Sequence, residues 1–144
     1  MHALYKLLRP RYGLVNVTYR GTVIKAYLAD SFVKKMFGLM YRDRLEEGTG
    51  MLFVLGRESI TEASIWMLNM KFSIDVVWMD RDGVVVDTAE SIQPCASMFK
   101  CKTYVPGSKV KYVLELNSGM AKRLGMGRGE RIVLGRFTEG AAKS

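Results

Sequence analysis

The sequence contains a single histidine, His2, one residue from its start. A nucleophilic site that pairs serine or cysteine with an imidazole would have to use it, and a chain terminus is a poor support for such geometry. Cysteine is scarce as well. Cys95 and Cys101 alone leave too few soft ligands for a structural zinc site, so no metal is expected. Neither a Walker loop nor a GxGxxG string occurs. Gly125-Met126-Gly127-Arg128-Gly129 is rich in glycine, but it follows a helix and enters a strand, the reverse of the order that cradles phosphate. No cofactor is expected.

No apolar run approaches the roughly 18 residues that would span a membrane. The first ten residues are broken by Lys6 and lack the small-residue cleavage site of a secretory signal. The expectation is a cytoplasmic protein without a membrane partner. Asn and Gln are few (Asn16, Asn69, Asn117 and Gln93), which leans toward a thermophile, although ten methionines lean the other way. A disulfide between Cys95 and Cys101 would close a short loop; in a cytoplasm that is unusual outside hyperthermophiles.

What is present is ordinary for a folded domain. The 144 residues are 49% hydrophobic and 25% charged, enough to build one core. The net charge of +8 favours solubility and attraction to polyanions. Its cations are spread along the chain, and no helix-turn-helix or aromatic RNA-recognition signature accompanies them, so nucleic acid is an unlikely partner. The chain divides into an N-terminal extension with the first strand (1–22), a single β-rich globular domain (23–136) and a flexible tail (137–144).

Leu14 to Tyr19, the Arg20-Gly21 turn and Val23 to Leu28 predict a hairpin. Asp30-Ser31 offers an N-cap for a short helix over Phe32 to Met40, with Gly38 inside it. Met51 to Leu55 and Ser64 to Met67 read as strands. Ile74 to Met79 is the clearest strand, with Ile74, Val76 and Trp78 on one face and Asp75, Val77 and Met79 on the other. Asp80-Arg81-Asp82-Gly83 turns it back into Val84 to Thr88; the apolar run that follows argues against a calcium loop. Gln93 to Ser108 is irregular. Lys109 to Leu116 forms a strand with Glu115 on the face of Lys111 and Val113. Asn117 or Ser118 caps a short helix that ends at Gly125, and Arg131 to Leu134 is the last strand. Short strands, frequent turns and two short helices predict a mainly β single-domain sandwich or partly closed barrel, with an α+β arrangement as the alternative.

Two carboxylates, Asp75 and Glu115, sit inside apolar strands. A buried carboxylate must be paired, hydrogen-bonded or open to a cleft. Either it is a structural anchor, or it lines a pocket where its pKa is shifted. Trp66 and Asn69, just before the central strand, would supply an aromatic platform and an amide, unless Asn69 merely takes a left-handed turn position. Arg42 is placed at the edge of this pocket. Met36, Met40, Met51, Met67, Met70 and Met79 read as gap-filling core rather than a metal or redox cluster.

Several strings together resemble a known family. They are Gly38-Leu39-Met40-Tyr41-Arg42, Gly50-Met51-Leu52-Phe53, Trp66-Met67-Leu68-Asn69 with Ile74-Asp75, Tyr112-Val113-Leu114-Glu115-Leu116 with Gly119, and Gly129-Glu130-Arg131-Ile132. Their order and spacing resemble domain of unknown function 192, also called uncharacterised protein family 0127. The resemblance runs from about Val23 to Leu134. It implies a compact, mainly β domain, with Gly38, Gly50 and Gly119 as structural glycines, and no established activity. Family members often carry Arg where this chain has Lys34 and Lys35, and Asp where it has Glu130. The cysteine pair is not part of the family pattern.

The expectation is therefore a small non-enzymatic binding module for a polar ligand such as a saccharide, held by Trp66, Asn69, Asp75, Glu115 and Arg42. The alternatives are an acid/base enzyme working through one carboxylate, and a basic protein that binds polyanions.

Overall fold

The computed structural model describes residues 9–137. His2 and, apart from Phe137, the expected tail lie outside the described residues. The fold is mainly β. A seven-stranded mixed sheet has the order β6-β5-β8-β3-β2-β1-β9. Its strands are β1 (Gly13–Tyr19), β2 (Thr22–Ala29), β3 (Thr49–Ser59), β5 (Ile74–Met79), β6 (Val85–Ile92), β8 (Val110–Asn117) and β9 (Val133–Leu134). A separate two-stranded ribbon pairs β4 (Ile65–Trp66) with β7 (Thr103–Tyr104). Two short helices, α1 (Phe32–Phe37) and α2 (Met120–Leu124), complete the fold with a single 3-10 turn at Met98–Lys100.

β1 and β2 form the hairpin read from the sequence, with Tyr19 opposite Thr22. β2 and β3 run parallel, so the connection between them must cross over, and α1 lies in that connection. The remaining pairings within the large sheet are antiparallel.

The sheet curls until one segment reaches both of its edges. At the β6 edge, Val85 N–H donates to Glu130 O (2.8 Å) and Ile132 N–H to Gly83 O (2.9 Å); at the β1 edge, Gly135 N–H donates to Asn16 O (2.7 Å). This partial closure satisfies edge groups that an open sheet would leave bare. Residues from both edges (Val15, Val17, Val85 and Ile132) therefore share one core with Ile24, Leu52, Val77, Leu114 and Met126 on the concave face. The opposite face carries a second core built on Met51, Phe53, Ile74, Val76, Trp78 and Val113, covered by Leu39, Ala63 and Met67 from the connections.

Several local expectations change. α1 stops at Phe37 instead of Met40, because Gly38 takes φ 48° and ends the helix, its N–H returning to Lys34 O. Ser31 is the N-cap, its Oγ accepting from Lys34 N–H at 3.3 Å. β3 spans Thr49–Ser59, longer at both ends than the Met51 to Leu55 strand read from the sequence. Asn117 and Ser118 do not cap α2: Asn117 ends β8 and donates from Nδ2 to Leu45 O (2.8 Å), and Gly119 precedes the helix with φ 90°. Gly125 does end α2 in the left-handed region. Asp80 Oδ1 accepts from the N–H groups of Asp82 and Val84, a turn-fixing role that explains the Asp-x-Asp-Gly string without an ion.

Candidate functional site

The two buried carboxylates occupy adjacent strands but opposite faces. In the β5–β8 pairing Asp75 stands across from Leu116, and Glu115 across from Val76. Residues directly opposite share a face, so Asp75 belongs to the concave core and Glu115 to the outer one. The shared cleft expected from the sequence does not form, since spacing along the chain carries no information on the relative register of two strands.

Asp75 is fully buried and fully occupied. Its Oδ1 accepts from Ser91 N–H (2.8 Å) and its Oδ2 from Ala121 N–H (2.9 Å). Both donors need this partner. Ser91 sits at φ 49° where the β5–β6 register shifts, so its N–H is turned out of the ladder. Ala121 lies in the first turn of α2, where N–H groups have no partner inside the helix. One side chain thus fixes a bulge and a helix start.

Glu115 has the opposite character. It is only 5% exposed, and among the described residues no group donates a hydrogen bond to its carboxylate. Its neighbours across both strand pairings, Val76 and Met51, are apolar and buried. Burial without a compensating donor pushes its pKa from 4.5 up to about 8. The carboxyl faces a cleft of about 300 Å³. α1 and the residues after it, Met36, Phe37 and Met40, form one wall. Ile65, Trp66, Met67 and Met70 form the other, and Phe53, Ile74 and Glu115 contribute from the sheet. Trp66 stands at this cleft, 45% exposed.

Hydrogen bonds around the cleft fix its walls. Asn69 adopts φ 62°, and its carbonyl accepts from Tyr41 N–H at 2.9 Å, tying the loop after α1 to the loop after β4. This is the left-handed turn position that the sequence left open for Asn69. Cys95 N–H donates to Met67 O (3.2 Å), and Cys95 is joined to Cys101 by a disulfide with Cα atoms 5.4 Å apart. Gly50 lets β3 lie close to β8: a Cβ there would stand 2.9 Å from the Glu115 carbonyl oxygen. Gly38 packs under Phe53, whose Cζ would lie 3.3 Å from an added Cβ.

Arg42 lies elsewhere. Its guanidinium stacks 4.6 Å from the Tyr27 ring centroid and 5.5 Å from that of Tyr12. Nε and Nη2 are buried and meet no hydrogen-bond acceptor among the described residues. A larger and more open cavity, about 750 Å³, lies beside Arg81, Tyr112, Arg131 and Phe137. Its charges are largely engaged: Arg81 pairs with Glu58 at 2.7 Å, and Arg131 Nε donates to Asp82 O at 3.2 Å.

Of the five residues expected to share a site, the structure brings Glu115 and Trp66 to one cleft and places Asp75, Asn69 and Arg42 outside its lining. The sequence reading missed Met36, Phe37, Met40, Met67 and Met70 as lining residues. The signal was there. α1 carries four apolar residues in six and buries none of them, Phe32 standing 78% exposed. Methionine also recurs at adaptable binding surfaces, not only in cores. Among the described residues no cluster of His, Cys, Asp and Glu could hold a metal ion.

Fold and cleft together define a small half-barrel β domain with a methionine- and aromatic-lined cleft that includes one carboxyl without a donor among the described residues. The chain belongs to the DUF192 family, Uncharacterized ACR, whose sequence pattern matches residues 15–134. A UPF0127 protein of Pyrococcus abyssi is 33% identical over 108 residues, covering 75% of this chain and 84% of that protein. One of Pyrococcus furiosus is 31% identical over 120 residues, covering 83% and 95%. A crystal structure from Sinorhizobium meliloti 1021 is similar with a TM-score of 0.76 and 29% identity, over 88% of this chain and 97% of that one. A protein of unknown function from Novosphingobium aromaticivorans DSM 12444 gives 0.73 and 27%, over 85% and 84%. The curated relatives are thermophilic archaeal proteins. No helix among the described residues is long and apolar enough to cross a membrane.

Proposed function

We propose that this chain is a small-molecule binding module whose ligand enters the cleft between α1 and the sheet and places a hydrogen-bonding group on Glu115. The observation that carries this reading is a buried carboxyl, without a donor among the described residues, in a mainly apolar cleft. A saccharide fits this lining less well than a mainly apolar molecule, because sugar hydroxyls need many polar partners and Glu115, Lys35 and Ser64 are the cleft's polar residues. The cytoplasm remains the compartment we assign; a disulfide is compatible with it in a family whose members include thermophilic archaeal proteins.

The test uses methyl-labelled methionine NMR with n-hexanol as the probe. Saturable shifts should appear first at Met36, Met40, Met67 and Met70, together with the Trp66 indole. Absence of any saturable shift, or first shifts at the concave-face methionines Met79 and Met120, would reject the reading.

One observation favours a second reading. A carboxyl held near neutral pKa in a cleft is suited to proton transfer. Such an enzyme would use Glu115 alone as acid or base, and would show a rate that depends on ionisation near pH 8. No turnover of any carbon acid or ester by wild-type protein beyond that of E115Q would remove it.

A further inference from the structure

We infer that the cleft is a cage for an alkylammonium group, which enters charge-first, sets its N–H donors on Glu115 and lays its alkyl chain along the methionines toward Trp66. This rests on the cleft being the binding site, and goes beyond it by fixing the chemistry of the ligand.

Three observations on the cleft point the same way. Glu115 is more than nine-tenths buried, faces the cavity, and is offered no donor by the described residues. An ionised carboxylate accepts several hydrogen bonds and donates none. An ammonium brings three donors and the opposite charge, whereas a hydroxyl brings one donor and a carboxylate ligand none. The second observation is the lining. Phe37, Phe53 and Trp66 all border the cavity, and cations are attracted to aromatic faces, most strongly to tryptophan. The third is what is missing around Glu115. Its neighbours across both strand pairings, Val76 and Met51, are apolar, and among the described residues no cation pairs with its carboxylate.

The charged groups facing the cleft are few. Lys35 on α1 borders it, while Lys34 pairs with Asp30 at 3.5 Å and Lys71 with Asp43 at 2.9 Å. Asp75 faces the other side of the sheet. Binding of R–NH3+ to the neutral carboxyl balances as loss of the Glu115 proton to buffer, leaving an ammonium–carboxylate pair. With a pKa of about 8, roughly nine carboxyls in ten are protonated at pH 7, so about 0.9 proton should be released per amine bound. The net charge of +8 opposes a cation only weakly at physiological salt, because exposed charges more than about 8 Å away are screened.

The experiment compares n-hexylammonium, n-hexanol and hexanoate on the full chain by calorimetry in two buffers of different ionisation enthalpy, at pH 7. Wild type should bind the amine at least about tenfold more tightly than the alcohol, and release close to one proton. E115Q should lose the preference for the amine over the alcohol. A lysine-containing peptide and its trimethyllysine form, run beside the free amine, separate the two sources of such a group. Tighter binding of the lysine peptide than of n-hexylammonium assigns a protein side chain, and the reverse a small metabolite-like amine; tightest binding of the trimethyllysine peptide, which has no N–H to donate, overturns the hydrogen-bonded pairing with Glu115. Equal binding of amine and alcohol, or preference for hexanoate, overturns the cation assignment while the cleft remains a binding site. Absence of binding by all three overturns both.

Discussion

Replacing Glu115 by glutamine should make the protein more stable, and by an amount that depends on pH in a way the structure specifies. The folded protein holds the Glu115 proton up to about pH 8, whereas the unfolded chain releases it near 4.5. Between these values the native state binds more protons than the unfolded state. Stability therefore falls as pH rises, with a slope approaching 1.4 kcal/mol per pH unit in the middle of the window. The full contribution is present below about 4.5 and lost above about 8. The gap of about 3.5 pH units, at about 1.36 kcal/mol each, amounts to about 5 kcal/mol. Water admitted by the cleft lowers this figure, since the carboxylate can be partly solvated where it meets the cavity. Glutamine keeps the shape and cannot ionise. Urea unfolding of wild type and E115Q at intervals from pH 5 to pH 9 is the assay, with the difference between the two curves as the readout. That difference isolates Glu115, because Asp87 and Glu58 have lowered pKa values and act below this window, and Tyr19 acts above it. E115Q should match wild type within about 1 kcal/mol at pH 5 and exceed it by several kcal/mol at pH 9. Parallel curves across that range would refute the claim that the carboxyl is buried without a partner.

Asp75→Asn should cost about 3 kcal/mol in chemical denaturation, because an amide turns an N–H toward one of two buried N–H donors and weakens the bond to the other. Arg42→Met should cost less than about 1 kcal/mol and Arg42→Ala more, since Met keeps contact with Tyr12 and Tyr27 while removing buried Nε and Nη2 groups that meet no acceptor among the described residues; thermal unfolding of the pair decides this. Gly50→Ala should lower stability by about 2 kcal/mol, because its Cβ meets the Glu115 carbonyl oxygen at 2.9 Å and Leu116 Cδ2 at 3.0 Å, both in the strand that floors the cleft. Wild-type stability in that variant would mean that β3 and β8 separate more easily than their pairing implies.

The strands were legible because alternation and turn chemistry are local. Asp80-Arg81-Asp82-Gly83 marks its hairpin from four residues, and Ile74 to Met79 places its two faces by period alone. Local signals also located α1, but not its apolar exposure. Phe32, Val33 and Met36 look like core in any helical projection, and only the sheet's position reveals that nothing among the described residues covers them. The parallel pairing of β2 with β3 is likewise invisible along the chain, since it depends on which strand α1 crosses over. The site was half legible. The peculiarity of a carboxylate in an apolar strand singled out Asp75 and Glu115 equally. Which one is satisfied depends on Ser91 and Ala121, 16 and 46 residues from Asp75, and no spacing rule connects them.

The two carboxyls form a natural control for each other. They stand on neighbouring strands, are buried to nearly the same degree, and differ in whether the described residues supply donors. If both served the fold, removing either charge would destabilise the protein. The geometry predicts opposite signs. Asp75→Asn should lose stability and leave the affinity for n-hexanol unchanged, because its donors lie on the concave face. E115Q should gain stability at pH 8 and lose its preference for the amine. A residue whose replacement strengthens the fold while weakening a ligand's hold is the signature of a site that trades stability for function. A finding that E115Q is destabilised at pH 8 would reverse the assignment, making Glu115 a second structural anchor and leaving the cleft without its defining group.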